Sequence, residues 1–274
     1  MNKENCCGGC RTEIPRMLEV SDVVKEGKGQ TSFFFKHHLD CKPGQFVMVW
    51  LPGIDEKPMA VSYHSKKEFA FTSQAIGKFT NALERIKKND KLGIRGPYGN
   101  SFSVKNNACV VAGGVGIASL SNLIDCLKNP VVIYGARSKQ HLIYLKRYKN
   151  KNLIVTTDDG SFGRKGFTTD ILEEVLKNKK NKVKIVQTCG PEIMMKKVFD
   201  ICRKHKVECE ASLERMMKCG FGICGACMVD DKIACIDGPI FNSKQLIKMS
   251  EFGNFARLKS GRKVSLKEYH GISA

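Results

Sequence analysis

Ala108-Cys109-Val110-Val111-Ala112-Gly113-Gly114-Val115-Gly116-Ile117-Ala118-Ser119-Leu120 decides the fold. Its first five residues are apolar without alternation, the pattern of a strand covered on both faces as in a parallel sheet. A Gly-rich turn and a helical stretch running to about Leu127 follow. The pattern then repeats. PVVIYGA (130–136), NLIVTTDDG (152–160) and KVKIVQTCG (182–190) read as further buried strands. HLIYLKRYK (141–149), TTDILEEVLKN (168–178) and PEIMMKKVFDICRKH (191–205) read as helices between them. Strand and helix in alternation give βαβ units around a parallel sheet, placed at residues 105–207.

Upstream, residues 15–104 carry short alternating runs separated by turn residues, with one amphipathic helix over KFTNALERIKKND (78–90). Short strands with a single helix predict a small antiparallel β-barrel. From Glu208 the chain reads as loop-like and Cys-rich. The expected plan is a Cys-containing tail (1–14), a barrel (15–104), a parallel-sheet α/β domain (105–207), a cysteine module (208–250) and a C-terminal tail (251–274).

Composition narrows the function classes. The 274 residues are 42% hydrophobic, enough for packed cores rather than disorder. The longest apolar run, about 108–120, falls short of the ~18–20 residues of a membrane span. The N-terminus shows no secretory h-region, so a cytoplasmic protein that engages no membrane is the default. The formal charge of +19 comes from Lys spread along the whole chain. No aromatic-interleaved basic ribbon accompanies it, so a Lys-rich surface is preferred over nucleic-acid binding.

Thirteen Cys are present. Cys219, Cys224, Cys227 and Cys235 form C-x4-C-x2-C-x7-C, whose first three members have the spacing of plant-type [2Fe–2S] loops. Four thiolates must converge on two irons, so the backbone has to wrap. Gly220, Gly222 and Gly225 permit this because glycine tolerates positive φ and close approach. A four-Cys zinc site is the competing reading, but zinc usually takes paired C-x2-C knuckles and only one half has that spacing. Cys6, Cys7 and Cys10 lack a fourth ligand nearby and read as incidental thiols.

The turn at Gly113, Gly114 and Gly116 is not G-x-G-x-x-G. By itself it fits a pyrophosphate-binding loop or a tight strand–helix turn. Cys189 ends the last predicted strand of the sheet, where ligands bind in open α/β folds, or it is a packing residue. Asp158-Asp159-Gly160-Ser161 fits a plain Asx turn or a nucleotide-side loop.

The order of the pieces is more specific than any one of them. KPMAVS (57–62), GKFTNAL (77–83), GPYGNSF (96–102), VAGGVGIASL (111–120), TTDDGSFGRKG (156–166), CGPEIMMK (189–196), LERMMKCGFGICGACMV (213–229) and CIDGPIF (235–241) follow one another. From Pro15 to Phe241 the chain resembles the ferredoxin-reductase-like flavoproteins, and among them the electron-transfer subunits of type B dihydroorotate dehydrogenase. The resemblance implies a FAD-binding barrel, an NAD-binding α/β domain and a C-terminal [2Fe–2S] module. It places flavin contacts on Lys57, Pro58, Met59 and Ala60, on Thr72, Ser73 and Gln74, and on Gly77, Phe79 and Thr80. Two departures stand out in that stretch. Lys57 replaces an Arg, keeping charge but losing bidentate geometry, and Ala60 replaces a Ser whose hydroxyl would face the flavin, with Ser62 close by.

NAD contacts would fall on Gly113, Gly114, Gly116 and Cys189. Arg137, Ser138 and Lys139 lie where a 2′-phosphate would sit and leave NADP open. The implied function is electron transfer, in pyrimidine biosynthesis, between NAD and a partner FMN-containing dihydroorotate dehydrogenase, assembled as a heterotetramer of two subunits of each kind. The same cofactors would serve a subunit of a ferredoxin:NAD(P) oxidoreductase, a sulfide dehydrogenase or a hydrogenase. A zinc-stabilised nucleic-acid-binding protein is the alternative of a different class.

Overall fold

The computed structural model describes residues 13–272, so Cys6, Cys7 and Cys10 lie outside the described residues. The first unit is built from β1 (Arg16–Glu19), β2 (Asp22–Gly27), β3 (Gln30–Phe35), β4 (Phe46–Leu51), β5 (Asp55–His64), β6 (Phe69–Gln74), α1 (Lys78–Leu83) and β7 (Lys91–Tyr98). These strands make one antiparallel sheet in the order β1-β7-β4-β5-β6-β3-β2. β1 and β2 stand at opposite ends of that order, yet only Val20 and Ser21 join them. The sheet must therefore curl until its edges meet. Val20 N–H donates to Asp90 on one side and Ser21 N–H to Phe34 on the other. Inside lie Val20, Phe33, Phe35, Val47, Val49, Phe69 and Phe71, with Phe79 and Leu83 of α1 closing one end. The helix is shorter than the sequence pattern implies, stopping at Leu83.

The second unit comprises β8 (Ala108–Gly113), α2 (Gly116–Cys126), β9 (Val131–Ala136), β10 (Asn152–Thr157), β11 (Arg164–Lys165), α3 (Thr168–Lys177), β12 (Ile185–Cys189), α4 (Glu192–His205) and β13 (Glu208–Ser212). Their order is β11-β10-β9-β8-β12-β13, all parallel. Central β8 is covered on both faces, as its composition requires. Ala108, Val110 and Ala112 pack with the core under α2, and Cys109 and Val111 with the core under α3 and α4.

Three expectations need correction. The stretch 141–149 is not a helix: a 3-10 turn at Lys139–His141 gives way to irregular backbone, and Tyr144 takes φ of 61°. Its hydroxyl is drawn onto Thr72 and Ser32 of the barrel, so a tertiary contact outweighs the periodicity. The α/β sheet also runs past residue 207, because β13 pairs with β12 and the sheet then gains an antiparallel strand at Ile240–Asn242. Beyond β13 come β14 (Met228–Val229), β15 (Lys232–Ile233), β16 (Ile240–Asn242), α5 (Ser243–Leu246), β17 (Phe255–Arg257), β18 (Lys263–Ser265) and α6 (Leu266–Ile272). Residues 251–272 are thus not a bare tail but a hairpin and helix, anchored by buried Phe252, Ala256, Val264 and Leu266. No described helix is long and apolar enough to cross a membrane.

The two units are locked through β5. Asn122 Nδ2 of α2 donates to the Val61 carbonyl at 2.8 Å, and Ser121 Oγ donates to that of Ser62. Arg147 donates to the same Ser62 oxygen at 3.0 Å, pairs with Asp125, and lies 5.7, 5.3 and 5.4 Å from the ring centroids of Tyr63, Tyr144 and Tyr148. Arg147→Ala removes charge-assisted hydrogen bonds and cation–π contacts together. The expected cost is about 2 kcal/mol, read as a lower urea midpoint with an unchanged slope.

Candidate functional site: a cysteine loop between two nucleotide-type pockets

The cysteine loop leaves β13 and returns at β16. The C-x7-C interval is a hairpin, with Cys227 immediately before β14 and Cys235 just after β15. Ala234 N–H bonds the Cys227 carbonyl at 3.2 Å, and Cys235 N–H points at Cys227 Sγ at 3.4 Å. Cys224 lies beside Cys219 and helps hold its thiol low, and Cys235 also feels Cys219. The sulfurs thus gather as two pairs, Cys219 with Cys224 and Cys227 with Cys235. Among the described residues no three metal-ligating side chains surround a single point. A mononuclear zinc site needs four donors around one ion, whereas a [2Fe–2S] cluster takes two thiolates per iron.

The backbone completes a cradle. Gly220, Gly222 and Gly225 have φ of 83°, 90° and 64°. A Cβ on Gly220 would meet Met48 Cγ at 2.8 Å, and one on Gly222 would meet Ile236 Cδ1 at 1.9 Å. Partial burial pushes the Cys219 thiol up, but N–H donors of Cys224, Phe221 and Ile223 outweigh it and bring it down to about 6. A site that stabilises thiolate with aimed N–H groups suits sulfur-bound iron. The residues present fit the cluster.

The loop sits on the barrel's outer face. The Asn100 side chain holds the returning strand by three hydrogen bonds, to Asp237 O at 3.0 Å, to Ile240 O at 2.8 Å and from Ile240 N at 2.9 Å. Met48, which touches Gly220, stands directly opposite Pro58 in the β4–β5 ladder. Strands in a ladder lie about 4.8 Å apart, so the cysteine loop lies next to the predicted flavin stretch.

That stretch divides by face. Pro58 and Ala60 share the outer face with Phe46 and Met48, whereas Lys57 and Met59 pair with Val49 and Val47 of the barrel interior. Thr72 is committed to the seam between the units, donating to Ser62 Oγ at 3.0 Å. Ser62, the suggested substitute for the missing Ser, is itself buried there with its hydroxyl on Ala70 O. Ser73 Oγ is buried without a hydrogen-bond partner among the described residues. Gln74 is half-buried opposite Gln30. Gly77 is open, with no neighbour where a Cβ would stand. Thr80 Oγ1 accepts from Ile76 and Gly77 N–H at 3.0 Å, and Phe79 is a barrel-core side chain. An open glycine turn, an orphaned buried hydroxyl and a strand face of small side chains fit a flavin nucleotide.

The four predicted nicotinamide-nucleotide residues come together. The order in which the chain fills the sheet reverses between β8 and β12, and the crevice at such a switch point is where open α/β sheets bind ligands. Gly113 and Gly116 face the Cys189–Pro191 turn so closely that a Cβ on Gly116 would lie 2.4 Å from Cys189 O. These glycines serve turn-to-turn contact, while Gly114, at φ of 54° with open space above it, faces outward. Thr188 Oγ1, beside Cys189, is buried without a hydrogen-bond partner among the described residues. Ser138 and Lys139 line a cleft of about 710 Å³ with Lys28, Asp159 and Ser161, and Arg137 is exposed. Ser161 N–H on Asp159 Oδ1 at 2.9 Å makes the Asx turn that the sequence allowed.

The family of iron–sulfur cluster binding domains of dihydroorotate dehydrogenase B matches residues 214–247. A probable dihydroorotate dehydrogenase B (NAD(+)) electron transfer subunit of Methanocaldococcus jannaschii is 42% identical over 92% of this chain and 99% of its own length. The chain belongs to the dihydroorotate dehydrogenase B electron-transfer-subunit family. A Pyrococcus furiosus member is 39% identical over 90% of this chain and 98% of its own. Among solved structures, a chain of the NADH-dependent reduced ferredoxin–NADP oxidoreductase superposes with a TM-score of 0.75 at 30% identity, covering 87% of this chain and 93% of that one. A Neisseria gonorrhoeae ferredoxin NADP+ reductase, TM-score 0.59 at 15% identity over 71% of this chain and 92% of that one, shares the fold.

Two glycine substitutions separate the sites. Gly222→Ala places a side chain at φ of 90°, which costs about 1–3 kcal/mol in the loop. Iron per chain is expected to fall while flavin content holds. Gly116→Ala drives the β8 and β12 turns apart and is expected to weaken NADH binding by about tenfold, or about 1.4 kcal/mol, with iron and flavin retained. Iron and flavin assays with NADH titration check both.

Proposed function

We infer that this chain is an electron-transfer subunit of a dihydroorotate dehydrogenase, passing electrons between NAD and an FMN-containing catalytic partner, assembled as two subunits of each kind. The observation that carries the reading is the placement of the cysteine loop. It lies against the strand bearing Pro58 and Ala60, within the core that also supports the β12 turn. A bound FAD would supply chemistry that joins two-electron hydride exchange at the nicotinamide to one-electron exchange at a [2Fe–2S] cluster. The protein contributes binding and alignment. Cys219, Cys224, Cys227 and Cys235 would hold the cluster. Pro58, Ala60, Ser73 and Gly77 would hold the flavin, and Gly113, Gly114, Gly116 and Cys189 the nicotinamide nucleotide. The seam from Ser121, Asn122 and Arg147 to β5 fixes the two nucleotide sites relative to each other.

The outer side of the cysteine loop supports partner docking. Ile223 and Ile236 are 79% and 55% exposed, with Met228 and the exposed Cys224 beside them in the loop. Apolar side chains exposed around a redox centre are the expected core of an interface. A second reading, a subunit of a ferredoxin–NADP oxidoreductase, is favoured by the TM-score of 0.75 to such a chain. The partner discriminates between the two.

The purified subunit, loaded with its cofactors, is expected to bleach its flavin absorbance on addition of NADH under anaerobic conditions. Dihydroorotate alone is expected to leave it unchanged, and to bleach it only once the FMN-containing partner is added. Bleaching by dihydroorotate without the partner, or none with it, overturns the reading.

A further inference from the structure

Arg95 of β7 takes no part in the roles assigned above, yet it stands between the cysteine loop and the flavin stretch. Its side chain is 7% exposed. Nε and Nη2 bind the two carboxylate oxygens of Glu56 at 2.7 and 2.5 Å. Nη1 donates to the carbonyl of Cys219 at 2.5 Å, and Nη2 to that of Lys218 at 3.4 Å. The guanidinium lies 5.7 Å from the Tyr98 ring centroid and 5.5 Å from that of Phe221, and the half-buried Glu13 carboxylate is 3.7 Å away. Glu56 immediately precedes Lys57 and shares the outer face with Pro58 and Ala60. A permanent cation and its counterion therefore press on the backbone of the first cysteine of the loop.

A guanidinium keeps its proton in proteins. Burial works against the charge of Arg95, and the Glu56 hydrogen bonds more than offset it. Charges this close to a redox centre and this far from solvent are weakly screened by salt, and they act through an effective dielectric well below that of water. We propose that the Arg95–Glu56 ion pair tunes the reduction potential of the cluster held by Cys219 and its three companions, the guanidinium raising it and the carboxylate lowering it. This rests on the cofactor reading given above. Reduction adds one negative charge to the cluster. Removing the Glu56 carboxylate favours the added electron, with Glu13 still 3.7 Å from the guanidinium, and removing the Arg95 cation opposes it.

The signs supply the test. The cluster midpoint potential is measured in the cofactor-loaded protein by potentiometric titration, followed by its electron paramagnetic resonance signal. Glu56→Gln is expected to raise the potential and Arg95→Gln to lower it. Each shift should correspond to about a tenfold change in the reduction equilibrium, about 59 mV for one electron. The double variant should return towards wild type, and Arg95→Lys, which keeps the charge, should stay close to it. A merely structural role would shift both single variants the same way or not at all, and either result overturns the proposal. Should Arg95→Gln fail to hold iron, Glu56→Gln decides alone: a raised potential supports the proposal, and an unchanged or lowered one overturns it. A wild-type protein with no [2Fe–2S] signal would overturn the cofactor reading and this proposal together. A normal signal with an insensitive potential would overturn this proposal alone.

Discussion

Strand β5 carries three attachments at once, and the rest of the molecule is arranged around it. Its first half pairs with β4 and turns Glu56, Pro58 and Ala60 outward to the cysteine loop. Its second half pairs with β6 and closes the barrel wall. The carbonyls of Val61 and Ser62, between these halves, accept hydrogen bonds from α2 and Arg147. Residues 55–60 pair with β4 and residues 61–64 with β6, so β5 changes partner at Val61 and Ser62. Here the ladder shifts register between Val61 and Tyr63, and the backbone released at that irregularity is what the second unit grips. The relative position of the two nucleotide-type pockets therefore depends on a few hydrogen bonds to main-chain atoms, which side-chain substitution in β5 does not remove.

The cysteine loop is joined to both units in a different way, through packing. Cys227, Val229, Ala234 and Cys235 belong to the same buried cluster as Val186 and Phe199 of the α/β unit and Met48 and Tyr98 of the barrel. Asn100 and Arg95 add polar anchors from the barrel side. A loop with only two short strands of its own thus acquires the rigidity of its neighbours. That suits a site whose electron exchange needs fixed spacing and little reorganisation.

What could be read from the residues was what local chemistry dictates. β8 and its turn were legible because an unbroken apolar run followed by glycines has few other solutions. The cysteine spacing was legible because convergence on two irons demands it. What escaped was set by distant partners. Tyr144 sits in a helical pattern but is held by Thr72 and Ser32, far away in sequence. β13 looked like loop because Glu208 and Glu210 interrupt it, yet Glu210 is satisfied by Gln187 Nε2 at 2.7 Å and Ser103 N–H at 3.1 Å. The hairpin and helix after residue 250 hid because their buried side chains are single apolar residues on a charged background. Arg95 gave no signal, since one arginine in a strand has no pattern, and its partners Glu56 and Cys219 lie 39 and 124 residues away.

The way the barrel closes has a consequence for how such a protein survives before its cofactors arrive. The rims of its sheet meet at Val20 and Ser21, and the α/β sheet ends in strands of only two and three residues, Arg164–Lys165 and Ile240–Asn242. Among the described residues the α/β sheet offers no long row of unpaired amides on which another nascent chain could template itself, and the barrel's terminal strands, four and six residues long, converge at one corner. Protection against aggregation is thereby built into the topology, independent of iron or flavin supply.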